Sequence, residues 1–259
     1  MVENIPFQGR IAVIAYELDP PAVVQSGDMY IYILDMRVLE LFSGTHSVGK
    51  VCDELGWECI SLDLAEATLN IDIMKWDYKA AYPAGYFDIV WASSPCTHFS
   101  NLKRCNIGRP AKDGRIFIHK TIEDDIQNIG LPMLRRTEEI IDYFQPKFWF
   151  LENPQTARTK NYIDRPFYTV DYCMYGMPYR KRTNVWTNLE NFTPRLCNKQ
   201  CGSFDGKRHI EQVNSRGGGS DGNITGYRRL RISIPAALIR ELFAQAVQEM
   251  NMNHQSSPV

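Results

Sequence analysis

The chain has 259 residues, 44% hydrophobic and 12% aromatic, with 29 Lys and Arg against 30 Asp and Glu, the composition of a globular protein with one main domain. No run approaches the roughly 18 apolar residues of a bilayer span, and Met1 to Gly27 lacks a basic region followed by an apolar core, so the chain reads as intracellular and soluble, and it is expected to be a monomer. Its seven scattered cysteines make no secreted disulfide framework and leave free thiols, a metal site or a catalytic thiol as the options.

Residues 1–35 read as an N-terminal extension with two strand-like runs, Ile11 to Tyr16 and Met29 to Leu34, around Pro20-Pro21. From Met36 short apolar runs alternate with helical patterns. Strands are expected at Arg37 to Phe42, Glu58 to Asp63, Phe87 to Ala92, Lys147 to Leu151, Tyr168 to Tyr172 and Asn184 to Thr187. Helices are expected at Ser47 to Leu55 and Leu131 to Phe144, and a last one at Pro235 to Met250 with Pro in its first turn. That rhythm predicts an α/β fold with a doubly wound, mostly parallel sheet, formed by residues 36–188 and 228–250. An irregular stretch rich in Gly, Asn, Ser and Arg, residues 189–227, interrupts it, and residues 251–259 read as a flexible tail. In such a sheet ligands bind beyond the carboxyl ends of the strands, so the residues there are the candidates.

Charge is distributed unevenly. Residues 97–120 and 178–231 together hold 17 of the 29 basic residues and 5 of the 30 acids, which suits a polyanionic partner on one face.

The first strand runs into Glu40-Leu41-Phe42-Ser43-Gly44 and a helix follows at once, so backbone can approach a ligand there and helix amides can receive an anion. Asp63, at the end of the second strand, can accept both hydroxyls of a ribose, and Asp72, next to Ile73, an adenine amino group. No Gly-x-Gly-x-x-Gly or Walker loop is present, so a methyl donor with one nucleoside fits better than a dinucleotide. Past the strand Phe87 to Ala92 comes Ser94-Pro95-Cys96-Thr97-His98-Phe99-Ser100, which places a thiol where this fold carries chemistry; nearby positive charge would help to ionise it. Glu152-Asn153-Pro154 ends another strand at the same sheet edge, where a carboxyl group could act as general acid beside the thiol. Cys197-x3-Cys201 followed by His209 could hold zinc.

From about Met36 to Phe243 this ordered set resembles the C5-cytosine DNA methyltransferase family, above all its compact phage and large-DNA-virus members. Leu41-Phe42-Ser43-Gly44 is similar to the family's first motif, Asp63 and Asp72 to its ribose- and adenine-binding acids, Pro95-Cys96 with Ser100 to its nucleophile motif, and Glu152-Asn153-Pro154 to its Glu-Asn-Val motif. Tyr175 to Trp186 is similar to its arginine-rich motif.

The resemblance implies a Rossmann-like methyltransferase fold, S-adenosylmethionine as cofactor and double-stranded DNA as partner. It implies Cys96, Glu152, Arg180 and Arg182 as catalytic residues, and Glu40, Phe42, Ser43, Gly44, Asp63, Asp72, Ile73 and Pro95 around the cofactor. DNA contacts are expected from Ser100, Lys103, Arg104, Lys207, Arg208, Arg228 and Arg229, with zinc on Cys197, Cys201 and His209. A flipped cytosine would take Cys96 at carbon 6 while Glu152 steadies ring nitrogen 3, then a methyl group at carbon 5.

The sequence departs from the pattern at His46, in the first turn; at Ser94, in place of a second proline; and at Tyr179, in place of a glutamine. A one-residue shift would bring Lys181 into the role of an arginine. With only residues 189–227 for recognition, the site read on DNA should be short. Two other readings are the same chemistry on RNA and a scaffold without turnover.

Overall fold

A computed structural model describes residues 35–111, 114–211 and 232–255. The runs Ile11 to Tyr16 and Met29 to Leu34, the boundary before Met36, and Arg228 and Arg229 with most of the glycine-rich stretch lie outside the described residues.

Seven strands form one sheet: β1 (Arg37–Leu41), β2 (Glu58–Asp63), β3 (Leu69–Asn70), β4 (Ile89–Ala92), β5 (Phe148–Pro154), β6 (Phe167–Asp171) and β7 (Arg182–Thr187), in the spatial order β3-β2-β1-β4-β5-β7-β6. The pairs from β3 to β5 are parallel, and β7 runs antiparallel to both β5 and β6. The chain moves outward from β1 to β3 and returns to the other side of β1 as β4, so the strand order reverses between β1 and β4 and opens a crevice at their carboxyl ends. The expected α/β doubly wound sheet is therefore present.

Helices α1 (Ser47–Leu55), α2 (Tyr78–Ala81), α3 (His119–Asp125), α4 (Leu131–Phe144) and α5 (Ala236–Gln255) cover the sheet. β4 and the first six residues of β5 are wholly buried, as central strands between two helical layers must be. On one side Trp91 stacks on Phe150 at 5.2 Å and Phe243 of α5 closes over both. On the other, Phe87 meets Phe144 edge-on at 4.9 Å.

Between α3 and α4 the residues Ile126–Gly130 form a π-helical turn, in which the Leu131 amide bonds back to the Ile126 carbonyl. Pro132, at the start of α4, has no amide to continue an ordinary ladder, and the widened turn absorbs that defect.

Several boundaries differ from the expected ones. β5 extends through Pro154, because β7 pairs with it as far as Thr183, so Glu152 and Asn153 are held inside the ladder and not beyond it. Tyr172 leaves β6 and starts the turn Tyr172–Tyr175. α5 continues to Gln255, five residues into the segment read as a tail. No described helix is long and apolar enough to cross a membrane.

Candidate active site

A cavity of about 1320 Å³ opens at the β1/β4 crevice, and the turns after β1, β2, β4 and β5 line it. At one end stand Glu40, Phe42, Ser43, Gly44, Asp63, Asp72 and Ile73; at the other stand Cys96, Glu152, Lys181, Arg180 and Arg182, with Pro95 and Ser100 between.

The turn after β1 is wound left-handed. Phe42, Gly44 and His46 have φ of 59°, 49° and 55°, and for an aromatic residue that is a strained backbone of the kind kept at binding sites. His46 bonds through Nε2 to the Glu66 carbonyl. The expectation that the α1 amides would receive a ligand anion is corrected: Glu40, buried under the helix, accepts from the Val48 and Gly49 amides at 3.0 and 3.1 Å. Burial lifts its carboxyl to about 7 against the pull of those two amides. Glu40 therefore ties α1 to β1 and shapes the turn. Asp63 accepts from the Gly44 amide at 2.9 Å and from Leu64, and Asp72 from Met74. Each carboxylate still has lone pairs for a ligand hydroxyl or amine.

Ser43 Oγ and Ser94 Oγ are buried and find no hydrogen-bond partner among the described residues, yet both residues border the cavity. Buried hydroxyls are seldom left unpaired, so this wall is built for a polar ligand. Two half-buried acids, a glycine turn and two orphan hydroxyls fit the ribose, adenine and amino-acid parts of S-adenosylmethionine.

At the reacting end, Asn153 fastens the Cys96 turn to β5. Its amide donates to the Ser94 carbonyl at 2.7 Å, and its oxygen accepts from Thr159. Cys96 is half-buried; burial pushes its thiol up, the Glu152 carboxylate pushes it further, and the Lys181 ammonium opposes both.

Glu152 Oε1 accepts from the Tyr172 hydroxyl at 2.8 Å and from Lys181 Nζ at 3.3 Å. Tyr172 is fully buried and its phenol is held well above the usual range by burial and by Glu152, so it stays a donor. Lys181 takes the position beside Glu152, while Arg180 and Arg182 turn to the buried Asp171, at 3.2 and 2.7 Å. Burial would raise the Asp171 carboxyl, but Arg182, the Cys197 amide and Arg180 hold it below the usual range.

Of the residues expected to contact DNA, Lys103 is half-buried. Its ammonium is occupied by the buried Asp125 at 2.8 Å. Arg104, Lys207 and Arg208 are exposed, and the Ser100 hydroxyl caps the turn Asn101–Asn106 through the Leu102 amide. Cys197, Cys201 and His209 do come together, and Cys173 joins them. The sequence reading missed Cys173, Tyr172 and Asp171. The alternation of β6 and the Tyr172-Cys173 pair at its end were the available signals.

A doubly wound sheet whose crevice brings a cysteine and several carboxylates to one cavity defines a class of α/β enzyme that binds its ligands at the carboxyl ends of the strands. No family profile matches the sequence. Over 218 residues, 80% of this chain and 98% of the relative, the sequence is 44% identical to a "Probable DNA (cytosine-5)-methyltransferase" of Frog virus 3 (isolate Goorha). The chain belongs to the DNA (cytosine-5)-methyltransferase family. Among solved structures, a DNA modification methyltransferase encoded within a prophage in E. coli aligns with a TM-score of 0.40 at 14% identity, covering 63% of this chain and 52% of that one.

Proposed function

We propose that this chain methylates carbon 5 of cytosine in double-stranded DNA, with S-adenosylmethionine as methyl donor and Cys96 as nucleophile. The observation that carries the reading is that Cys96 and Glu152 border the same cavity as Asp63 and Asp72, with the Glu152 carboxyl fixed by Tyr172 and Lys181. Ser43, Gly44, Asp63, Asp72 and Ile73 would hold the cofactor, which when bound supplies a methyl group activated by a sulfonium.

Carbon 6 of a stacked cytosine is shielded on both faces, so the base must leave the helix to meet a thiol recessed in a cavity. The Cys96 thiolate adds to carbon 6. Glu152, held through Oε1 by Tyr172 and Lys181, shares a proton with ring nitrogen 3 and so takes up the charge that the new S–C bond pushes into the ring. Carbon 5 then gains the methyl group and gives up its proton to water, and the electron pair left behind re-forms the ring double bond and expels the Cys96 thiolate from carbon 6. Arg180 and Arg182, set by Asp171 at the rim of the same cavity, face the phosphates of the extruded nucleotide. Zinc, in this reading, is a structural ion away from the reacting atoms.

Transfer of a labelled methyl group, with DNA and RNA offered separately, tests the reading. The wild type should label DNA at carbon 5 and be trapped covalently on DNA containing 5-fluorocytosine, since fluorine cannot leave as a proton does. Cys96→Ala should lose both while binding the cofactor within a few-fold. A Cys96→Ala protein that still methylates would overturn the mechanism, and label on RNA alone would overturn the substrate.

A further inference from the structure

Outside the active site, Cys173, Cys197, Cys201 and His209 place four ligand atoms within 4.8 Å of one another, the three thiols buried and the imidazole half-buried. Cys197 Sγ lies 3.5 Å from Cys201 Sγ and 3.5 Å from His209 Nε2, and Cys201 Sγ lies 3.3 Å from that nitrogen. Zinc–sulfur bonds of about 2.3 Å and zinc–nitrogen bonds of about 2.0 Å at tetrahedral angles set neighbouring donors about 3.5 to 3.8 Å apart. The separations among Cys197, Cys201 and His209 are close to that spacing, and Cys173, within 4.8 Å of each, is near enough to complete it by a small side-chain adjustment. It is no disulfide, because the same sulfurs stand well beyond bonding distance.

The surroundings suit a metal as well. The Lys199 amide donates to Cys197 Sγ at 3.3 Å, from a turn in which Lys199 takes a left-handed φ of 72°. An amide aimed at a thiolate is a usual support for a zinc ligand. Met174 and Phe204 pack against the thiols, and Phe204 meets the His209 ring edge-on, which keeps water from the cluster. All four protein ligands are present, so no coordination position is left open for chemistry.

We propose that this chain binds one structural zinc ion through Cys173, Cys197, Cys201 and His209, and that the ion staples the recognition segment to the catalytic face. Three ligands come from residues 197–209 and one from the turn after β6. Cys201 to His209 form a hairpin closed by the Phe204 and His209 bridge, with Asp205 Oδ1 capping the Lys207 and Arg208 amides. The exposed tip thus carries Lys207 and Arg208. Toward the catalytic side, the Cys197 amide donates to Asp171 at 2.8 Å, which orients Arg180 and Arg182, and Cys173 follows Tyr172, the partner of Glu152. One ion would fix both the DNA-facing tip and the residues around Glu152. Metal affinity of this kind is also folding free energy, because the unfolded chain has no preformed site.

The test is metal content and coordination of the full-length protein purified under reducing conditions. Native mass spectrometry should show one zinc per chain, and Cys173→Ser should lower that occupancy while Cys105→Ser, an exposed cysteine outside the cluster, leaves it unchanged. Should Cys173→Ser fail to fold, cobalt added to the metal-free wild type should give the intense visible bands of a tetrahedral thiolate site. Stripping the metal should speed amide exchange in residues 171–182 and 197–211 and leave β1 to β4 unchanged. A wild type that purifies without metal and takes up neither zinc nor cobalt would overturn the proposal. So would the mass of a Cys197–Cys201 disulfide, or zinc retained unchanged by a folded Cys173→Ser protein.

Discussion

Cys96 holds its proton more tightly than a free thiol, because burial and the Glu152 carboxylate both disfavour the thiolate and Lys181 only partly offsets them. The sign of the pH dependence follows. A raised thiol leaves little thiolate near neutrality, so kcat/KM should climb with pH through a limb above the ordinary thiol range. Lys181→Ala removes a cation that acts on the sulfur and should move that limb to higher pH, whereas Lys181→Arg should keep it near its original place. Identical limbs in wild type and Lys181→Ala would show that Lys181 does not act on the sulfur. Glu152→Gln should shift the limb the other way and lower kcat by about 100-fold or more, the range for a positioned proton-transfer group. Asp63→Ala should weaken cofactor binding by about 1.5 to 3 kcal/mol, the worth of a hydrogen bond to a charged group, with unchanged calorimetric affinity as the contrary result. Cys96 and Glu152 were legible because each comes after an apolar run in a stretch that resembles a known motif. Lys181 was open as an alternative to the arginines, since a one-residue frame within Tyr179-Arg180-Lys181-Arg182 cannot be fixed without knowing that Asp171 is buried beside it. Cys173 was harder to read, with only its place at the end of β6 as a signal. It lies far upstream of Cys197 in sequence, and only the turn after β6 returns it to the other three ligands.

At the scale of elements, the turn that carries Cys96 is held from behind by a helix bend. Gly130, last residue of the π-helical turn, lies so close to that turn that a Cβ added there would meet Phe99 Cζ at 2.9 Å and His98 Cβ at 3.0 Å. Alanine ordinarily stabilises a helical position by about 0.8 to 1.0 kcal/mol relative to glycine. Here Phe99 is buried in the core and cannot retreat, so Gly130→Ala should push residues 96–100 toward the cavity. The expected outcome is kcat reduced by about 10-fold or more, as for a small misplacement of a reacting group, with cofactor affinity kept because Asp63 and Asp72 stand on other elements. A stabilised, fully active Gly130→Ala protein would show that the contact is relieved elsewhere. α1, β2 and α4 were readable to their ends because long periodic or alternating runs stop at clear punctuation, such as Gly56 after α1. β3 was not, since two residues cannot show a period, and β5 was cut short because its last pairs depend on β7, which no local pattern reveals.

At the scale of the whole molecule, a nearly neutral chain must still attract a polyanion, and the arrangement of its charges decides how. Part of the basic excess is spent internally, on Lys103 and Arg115 around Asp125, Arg158 on Glu123, and Arg180 and Arg182 on Asp171. Such groups set the shape of the DNA-facing loops and add less to counterion release than their number suggests. Lys207 and Arg208 differ. Both are exposed at the tip of the Cys201 to His209 hairpin, and their backbone amides, not their side chains, bond to Asp205. Each phosphate neutralised on duplex DNA contributes about 0.9 to the slope of log K against log salt. Replacing both by alanine should therefore make that slope shallower by roughly 1.8, weakening binding by a similar factor on every sequence, since phosphate contacts do not read bases. Lys79→Ala, a change at a lysine set against Tyr78 and Tyr143 on the helical layer, should leave the slope as it is. Fluorescence anisotropy with a labelled duplex across a salt series measures both. A double variant with an unaltered slope but a changed sequence preference would mean that the hairpin tip enters a groove and reads bases, which would move specificity from the segment as a whole to those two side chains.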